Sequence, residues 1–337
     1  MDEPGHSPPK AYLTELIDEN AHEEAAAYLG HFETADADDR KRVLQALRSL
    51  AADRPTAVAP LLEALAPFLT DDERAVRLTT VKLFVTVAET DPEAVVRFVS
   101  PLGDRLADDD EFYYIRARAA EALGFAALEN PDAVASPETL ADLRVGLRFE
   151  DAEVRVKLAK ALEYVALGDP HRLRNHVSSL ADHLGDDDEL VRYHLCTALT
   201  VIGCEYPDAL TDARAELVDR LDDENAYVRG RALEGLGVLL RAESTDAVLP
   251  ETALEGLEDD EESFVAERAR FAVSAPDRSD DDSGTNDGIG SGEAIRETTG
   301  EILEELTSPD GDGECPHCGL ELPEHGPPMC PRCGAPY

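Results

Sequence analysis

A branched apolar residue followed by arginine returns along this chain at a nearly constant interval. It occurs at Val76-Arg77, Ile115-Arg116, Val154-Arg155, Val191-Arg192 and Val228-Arg229, with steps of 39, 39, 37 and 37 residues. One step earlier Arg40 falls in phase, and one step later Val265 does, with Ala266 in the arginine slot. Each anchor follows an acidic turn: Asp71-Asp72-Glu73, Asp108-Asp109-Asp110, Glu150-Asp151, Asp186-Asp187-Asp188, Asp222-Asp223-Glu224 and Asp259-Asp260-Glu261. Self-similarity at a fixed period of this length marks a chain assembled from copies of one small unit.

The unit itself is helical. Four residues after the arginines stand Val81, Ala120, Ala159, Cys196 and Leu233, and seven after them Phe84, Leu123, Leu162, Leu199 and Leu236. Those offsets place one apolar stripe along a helix. Aspartates ahead of it suit the positive N-terminal end and can cap it. Pro55, Pro92, Pro131, Pro170 and Pro207 then interrupt the units. Proline is tolerated in a first helical turn, so each predicts the start of a second helix, ending in phase at Leu69, Leu106, Leu147, Leu184 and Leu221. A helix pair this short cannot bury its own apolar faces; stacked pairs bury them in one continuous core. The composition agrees, with 43% hydrophobic residues but only 5% aromatics and no tryptophan. Alanine, leucine and valine cores of that kind suit stacked helices rather than a β-sandwich.

This pattern resembles HEAT repeats, including the phycobilisome-lyase-like subgroup. The resemblance covers roughly residues 36–275 and implies an all-α, right-handed α-solenoid of helix pairs. Residues 1–35, with Leu13, Leu16, Ile17, Tyr28, Leu29 and Phe32, read as capping helices. The composition turns to Asp, Ser, Gly and Asn over 276–292, which reads as a flexible acidic linker. A short amphipathic helix is expected over 293–307, carrying Ile295, Ile302, Leu303 and Leu306, and a second linker over 308–314.

Residues 315–337 hold the one motif with metal chemistry: Cys315-Pro-His-Cys318 and Cys330-Pro-Arg-Cys333, eleven residues apart. Two C-x-x-C turns offer four thiolates, which suits tetrahedral Zn2+. The segment has few apolar residues of its own, so metal binding would supply most of its folding energy. The expectation is a small zinc ribbon with one structural zinc on Cys315, Cys318, Cys330 and Cys333. A disulfide pairing and a rubredoxin-like iron site are the competing readings, and His317 or His325 could stand in for a cysteine.

Net charge is −42, from 73 acidic against 31 basic residues, and lysine occurs only at positions 10, 41, 82, 157 and 160. Acid excess with scarce lysine resembles proteins of halophilic archaea, where molar salt screens self-repulsion within about 3 Å. An acidic surface that captures basic partners is the other reading. Nucleic-acid binding needs a local basic face, and none stands out. No apolar run is long enough to span a bilayer and the N-terminus is polar, so a cytoplasmic protein without membrane contact is expected.

The recurring arginines have two readings: an anion-binding column, or ion pairs with the acidic turns. Cys196 and Cys204 read as buried thiols. Candidate partner-binding residues are Phe112, Tyr113 and Tyr114, which fill a two-residue insertion in the third acidic turn, and the bases Arg97, Arg105, His183 and Arg220 on the second helices, where HEAT-like arrays line their concave face. Ordinary ion pairs within the array, or packing against the next repeat, are the plainer readings. HEAT-like enzymes such as deoxyhypusine hydroxylase hold metal on repeated His-Glu pairs, whereas this chain has a single one, His22-Glu23. The functional expectation is a protein–protein interaction scaffold whose ribbon is a second contact module. The alternatives are a transcription- or translation-associated factor that contacts nucleic acid through the ribbon, and a HEAT-like enzyme of lyase or hydroxylase type.

Overall fold

In the computed structural model the described residues are 9–242, 254, 256–274 and 288–307. They are helical, with no strand among them. Two short helices, α1 (Pro9–Asp18) and α2 (His22–Gly30), lead into the repeats. The long helices are α3 (Ala37–Asp53), α4 (Arg74–Thr90), α5 (Tyr113–Glu129), α6 (Ala152–Gly168), α7 (Glu189–Glu205), α8 (Ala226–Arg241) and the shorter α9 (Ser263–Val273). A final helix, α10, spans Gly292–Leu306.

The long helices start where the acidic turns predict. Asp36 accepts from the amide of Asp39 at 3.0 Å, Asp188 from that of Leu190 at 2.9 Å, and Asn225 from those of Tyr227 and Val228. Each occupies the N-cap position and satisfies donors the helix cannot.

The Pro-marked halves differ from expectation. They are not single helices but successions of short α and 3-10 turns: Pro55–Val58, Ala59–Leu61, Leu62–Leu65 and Ala66–Thr70 in the first unit of the repeat, and likewise after Pro92 and Pro207. The buried stripe explains the break. Val58 to Leu61, Val95 to Phe98 and Leu210 to Ala213 are steps of three residues between fully or nearly fully buried side chains. The 3-10 turns lie on those steps, because a 3-10 turn aligns residues three apart. Pro60 and Pro67 add to the effect in the first by removing amide donors.

The chain divides into two compact units. The first runs to Phe149 and includes Lys160–Gly168; the second holds Glu150–Ala159 and continues from Asp169. In the first, α1 packs on α3, α3 on α4 and α4 on α5. Helices come close there at Gly124, where a Cβ would lie 2.8 Å from Ala161 Cα. In the second, α7 packs on α8 and α8 on α9, and α10 packs on α7.

Candidate functional site

The anchor arginines do one job, repeated. Arg192 donates through Nε and Nη2 to the two carboxylate oxygens of Asp223, at 2.7 and 2.9 Å. Its Nη1 donates to the carbonyls of Asp186 and Asp187, in its own turn. Arg155 repeats this with Asp186 at 2.7 and 2.9 Å, and Arg229 reaches Asp260 at 3.1 Å. In the first unit Arg40 pairs with Asp71 at 2.7 Å. A guanidinium thus closes its own turn and ties it to the next, with the planar fork matched to a carboxylate. The receiving aspartate also shapes its turn: Asp186, Asp223 and Asp260 accept the amide two residues on, at 2.9, 3.0 and 2.9 Å. This is an ion-pair ladder, and its donors are spent inside the protein.

The third turn, with its two-residue insertion, divides those tasks. Asp108 accepts the amide of Asp110 at 3.0 Å, while Glu111 takes the bidentate bond from Arg77 at 2.7 and 2.8 Å. Burial pushes Glu111 upward, but Arg77, the Phe112 amide and Arg105 hold its carboxyl below the ordinary glutamate range. Burial likewise opposes Asp223, and Arg192, the Asn225 amide and Arg220 hold it low. Arg116 breaks the pattern. Where the next turn would offer a carboxylate stands Phe149, and the guanidinium lies 4.8 Å from the ring centroid. Its Nε donates to Leu106 O at 2.9 Å, and Nη1 reaches Asp109 at 3.2 Å.

The inserted residues form an aromatic cluster in the first unit. Phe112 lies 4.6 Å from Tyr113 and 5.4 Å from Tyr114 between ring centroids, and the two tyrosines are 4.7 Å apart. Arg74 stands 4.8 Å over Phe112. Tyr113 is 38% exposed, one of the few large hydrophobic side chains that face solvent among the described residues.

The candidate bases are scattered. Arg97 and Arg105 fall in the first unit, His183 and Arg220 in the second. Arg97 pairs with Glu63 at 3.3 Å in an exposed contact, and Arg105 with Glu111 at 3.2 Å, next to the aromatic cluster. Arg220 backs the Asp223 rung at 3.2 Å. His183 is half-buried in a turn, its amide bonded to Leu180 O. Cys196 and Cys204 are thiols pushed up to about 12 by burial, which leaves little thiolate at neutral pH. Cys315, Cys318, Cys330 and Cys333 lie outside the described residues, and among those described no cluster of His, Cys, Asp or Glu is placed to hold a metal.

Two buried polar clusters on the long helices were not singled out from the sequence. In the first unit Glu121 accepts from Arg118 at 2.6 Å and Lys160 at 3.4 Å, and Lys160 Nζ lies 4.5 Å from the Phe125 ring and 5.4 Å from that of Tyr164. In the second, Glu234 accepts from Arg231 and Arg268, each at 2.8 Å, and from the amide of Gly290 at 2.9 Å. A signal was available: Lys82, Glu121, Lys160 and Glu234 all stand five residues after their anchor arginines, and Arg118, Lys157 and Arg231 two after. Charge recurring at interior helical offsets marks one polar column, and three of the five lysines fall in it.

Fold and ladder together define a helical repeat protein. No protein-family model matches the chain, and no curated protein matches it. Solved structures do. A designed armadillo repeat protein is similar with a TM-score of 0.56 and 21% identity, over 64% of this chain and 99% of that one. Two engineered proteins solved by a structural genomics consortium are similar with TM-scores of 0.57 and 0.55. They are 21% and 22% identical, over 65% and 64% of this chain and 99% and 95% of theirs. At such identity the likeness is one of fold. No helix among the described residues is long and apolar enough to cross a membrane.

Proposed function

We propose that this repeat protein is a protein-interaction scaffold of HEAT-like helix pairs. The observation that carries the reading is the Phe112, Tyr113 and Tyr114 cluster. It gathers three rings at one turn in a chain that is 5% aromatic, and Tyr113 is exposed. Aromatic side chains presented together at a surface anchor interfaces, and they do so without the salt sensitivity of exposed ion pairs. The ladder supports the reading from the other side, since its arginines are committed to holding turns together and leave recognition to other residues.

A zinc ribbon on Cys315, Cys318, Cys330 and Cys333 would be the second contact module. Two contacts on one chain raise each other's effective concentration, so individually weak contacts give a firm complex. The acid excess would adapt the surface to molar salt in a cytoplasm of that kind.

The test is affinity purification in molar KCl followed by mass spectrometry, comparing the wild type with a Tyr113→Ala, Tyr114→Ala double variant. The expected outcome is loss of a specific protein partner from the variant; unchanged recovery overturns the aromatic contact. For the ribbon, metal analysis should find one zinc per chain in the wild type and none in Cys330→Ser, with helicity retained.

A further inference from the structure

The helix α10 lies on the second unit in a way that resembles a bound ligand. Its buried side chains are Ile295, Thr299 and Ile302, a single stripe at i, i+4 and i+7. Glu293, Arg296, Glu297, Glu301, Glu304 and Glu305 all face solvent. Both ends are fixed by polar contacts to α8. At the start, the amide of Gly290 donates to Glu234 at 2.9 Å; at the end, Glu305 bonds the phenol of Tyr227. The entry is close-fitting. Gly290 has φ +82°, and a Cβ there would stand 2.6 Å from the Phe271 ring, so only glycine brings the backbone in.

The receiving surface carries a buried polar cluster that takes a backbone amide. Arg231 and Glu234 are 0% and 1% exposed, and Arg268 is 8% exposed and stacked 3.5 Å from Phe264. The segment meets this cluster through a neutral donor, the Gly290 amide, while the five glutamates and one arginine of the helix lie on its outer side. The apolar contact itself is small. Three buried side chains are a slight hold for a 15-residue helix that is marginal in isolation. Residence is favoured because the helix is part of the same chain, which holds it near its seat.

We infer that the face of α7, α8 and α9 under α10 is a helix-binding surface, and that α10 is a resident occupant exchangeable for a partner's helix. The partner helix is short and amphipathic. It has branched or small residues at i, i+4 and i+7 and a glycine-led amide at its entry. This deepens the scaffold reading and rests on it.

The experiment uses the full chain and a fluorescein-labelled peptide of residues 288–307 as the probe, followed by anisotropy in molar KCl. Ile295→Asp with Ile302→Asp empties the seat in cis. The expected result is at least tenfold tighter uptake of the peptide by this variant than by the wild type. A peptide carrying the same two aspartates should not bind. Gly290→Ala loosens only the entry and should raise uptake by a few fold, which keeps the test meaningful if the double variant loses helicity. Equal uptake by all three proteins, or uptake of the aspartate-bearing peptide, overturns the proposal. A wild type that sediments as a dimer and loses the dimer on Ile295→Asp makes a second copy the occupant and also overturns it. Since no cellular partner enters the titration, its failure leaves the Phe112–Tyr114 pull-down standing, and failure of the pull-down leaves the titration standing.

Discussion

Glu121 in the first unit and Glu234 in the second stand at the same place in their repeats, five residues after the anchor arginine, and both are buried. Their surroundings differ. Glu121 meets Arg118 from its own helix and a lysine held against two rings. Glu234 meets two arginines and the backbone of a segment far along the chain. One column of the repeat therefore serves twice: as a local lysine–ring arrangement in one unit, and as the seat of a helix in the other. A repeat scaffold keeps its apolar positions fixed and varies what it does at the polar positions between them.

The largest expected effect breaks this pair of clusters. Glu234→Ala leaves Arg231 fully buried and Arg268 nearly so, and should cost about 3–5 kcal/mol in denaturant unfolding, the scale of a broken buried pair. Glu121→Ala should cost less, about 1–3 kcal/mol, because the Lys160 side chain is 16% exposed and its rings still hold it. Equal costs would mean that the two clusters are not different in kind. Acid tests the Glu234 cluster as well. Burial pushes Glu234 upward, but Arg231, Arg268 and the Gly290 amide hold it below the usual glutamate value. A carboxylate held low in the folded state stabilises fully above its unfolded pKa of about 4.3, and that contribution goes as pH falls through the folded value. Stability measured from pH 6 downward should therefore fall below about pH 4, and less steeply in Glu234→Ala protein, which lacks the titrating carboxylate.

A second, smaller contrast lies in the ladder. Arg192→Ala removes a bidentate bond to Asp223, whose side chain is 1% exposed, and leaves it Arg220 and the Asn225 amide. About 2–3 kcal/mol is expected, below the full value for a buried pair because Arg192 is itself partly exposed. Arg116→Ala removes a ring contact, the Nε bond to Leu106 O and a bond to Asp109, whose side chain is 94% exposed, and should cost about 1–2 kcal/mol. Urea midpoints of the two variants check it; a costlier Arg116 would reverse the ranking of carboxylate and ring as partners.

Much of this architecture was legible in the sequence. The interval between Val76-Arg77 and Val228-Arg229 locates the long helices, since a constant step with an i, i+4, i+7 stripe has no other regular solution. The Pro-marked halves were legible as elements but not as broken ones. The break depends on Val58 and Leu61 facing inward together, which follows from neighbours and not from the local pattern. The ladder was foreseen as ion pairing with acidic turns, but the particular partners 31 or 34 residues ahead depend on how one repeat lies on the next. Glu234 and Gly290 were beyond reach for the same reason: 56 residues separate them, and only the fold brings the amide to the carboxylate. The four terminal cysteines are the reverse case, legible as a motif and outside the described residues.

The smallest effect sharpens the ladder comparison most. Phe149 stands 37 residues before Asp186, which stands 37 before Asp223, so the ring occupies the slot of the receiving aspartate. Phe149→Asp would restore the common pattern and give Arg116 a carboxylate. Gain and loss nearly cancel. The new pair would be partly solvated, worth about 1 kcal/mol or less, while the variant gives up a cation–ring contact of about the same size and some apolar burial. The guanidinium is also already anchored, since its Nε donates to Leu106 O at 2.9 Å whatever stands at 149. The expected change in unfolding free energy is within about 1 kcal/mol of zero, with Arg116→Ala becoming costlier in the Phe149→Asp background than in the wild type. A double-mutant cycle over Arg116 and residue 149 measures this. A loss above about 2 kcal/mol for Phe149→Asp alone would show that the ring is held by packing, and that Arg116 is incidental to it.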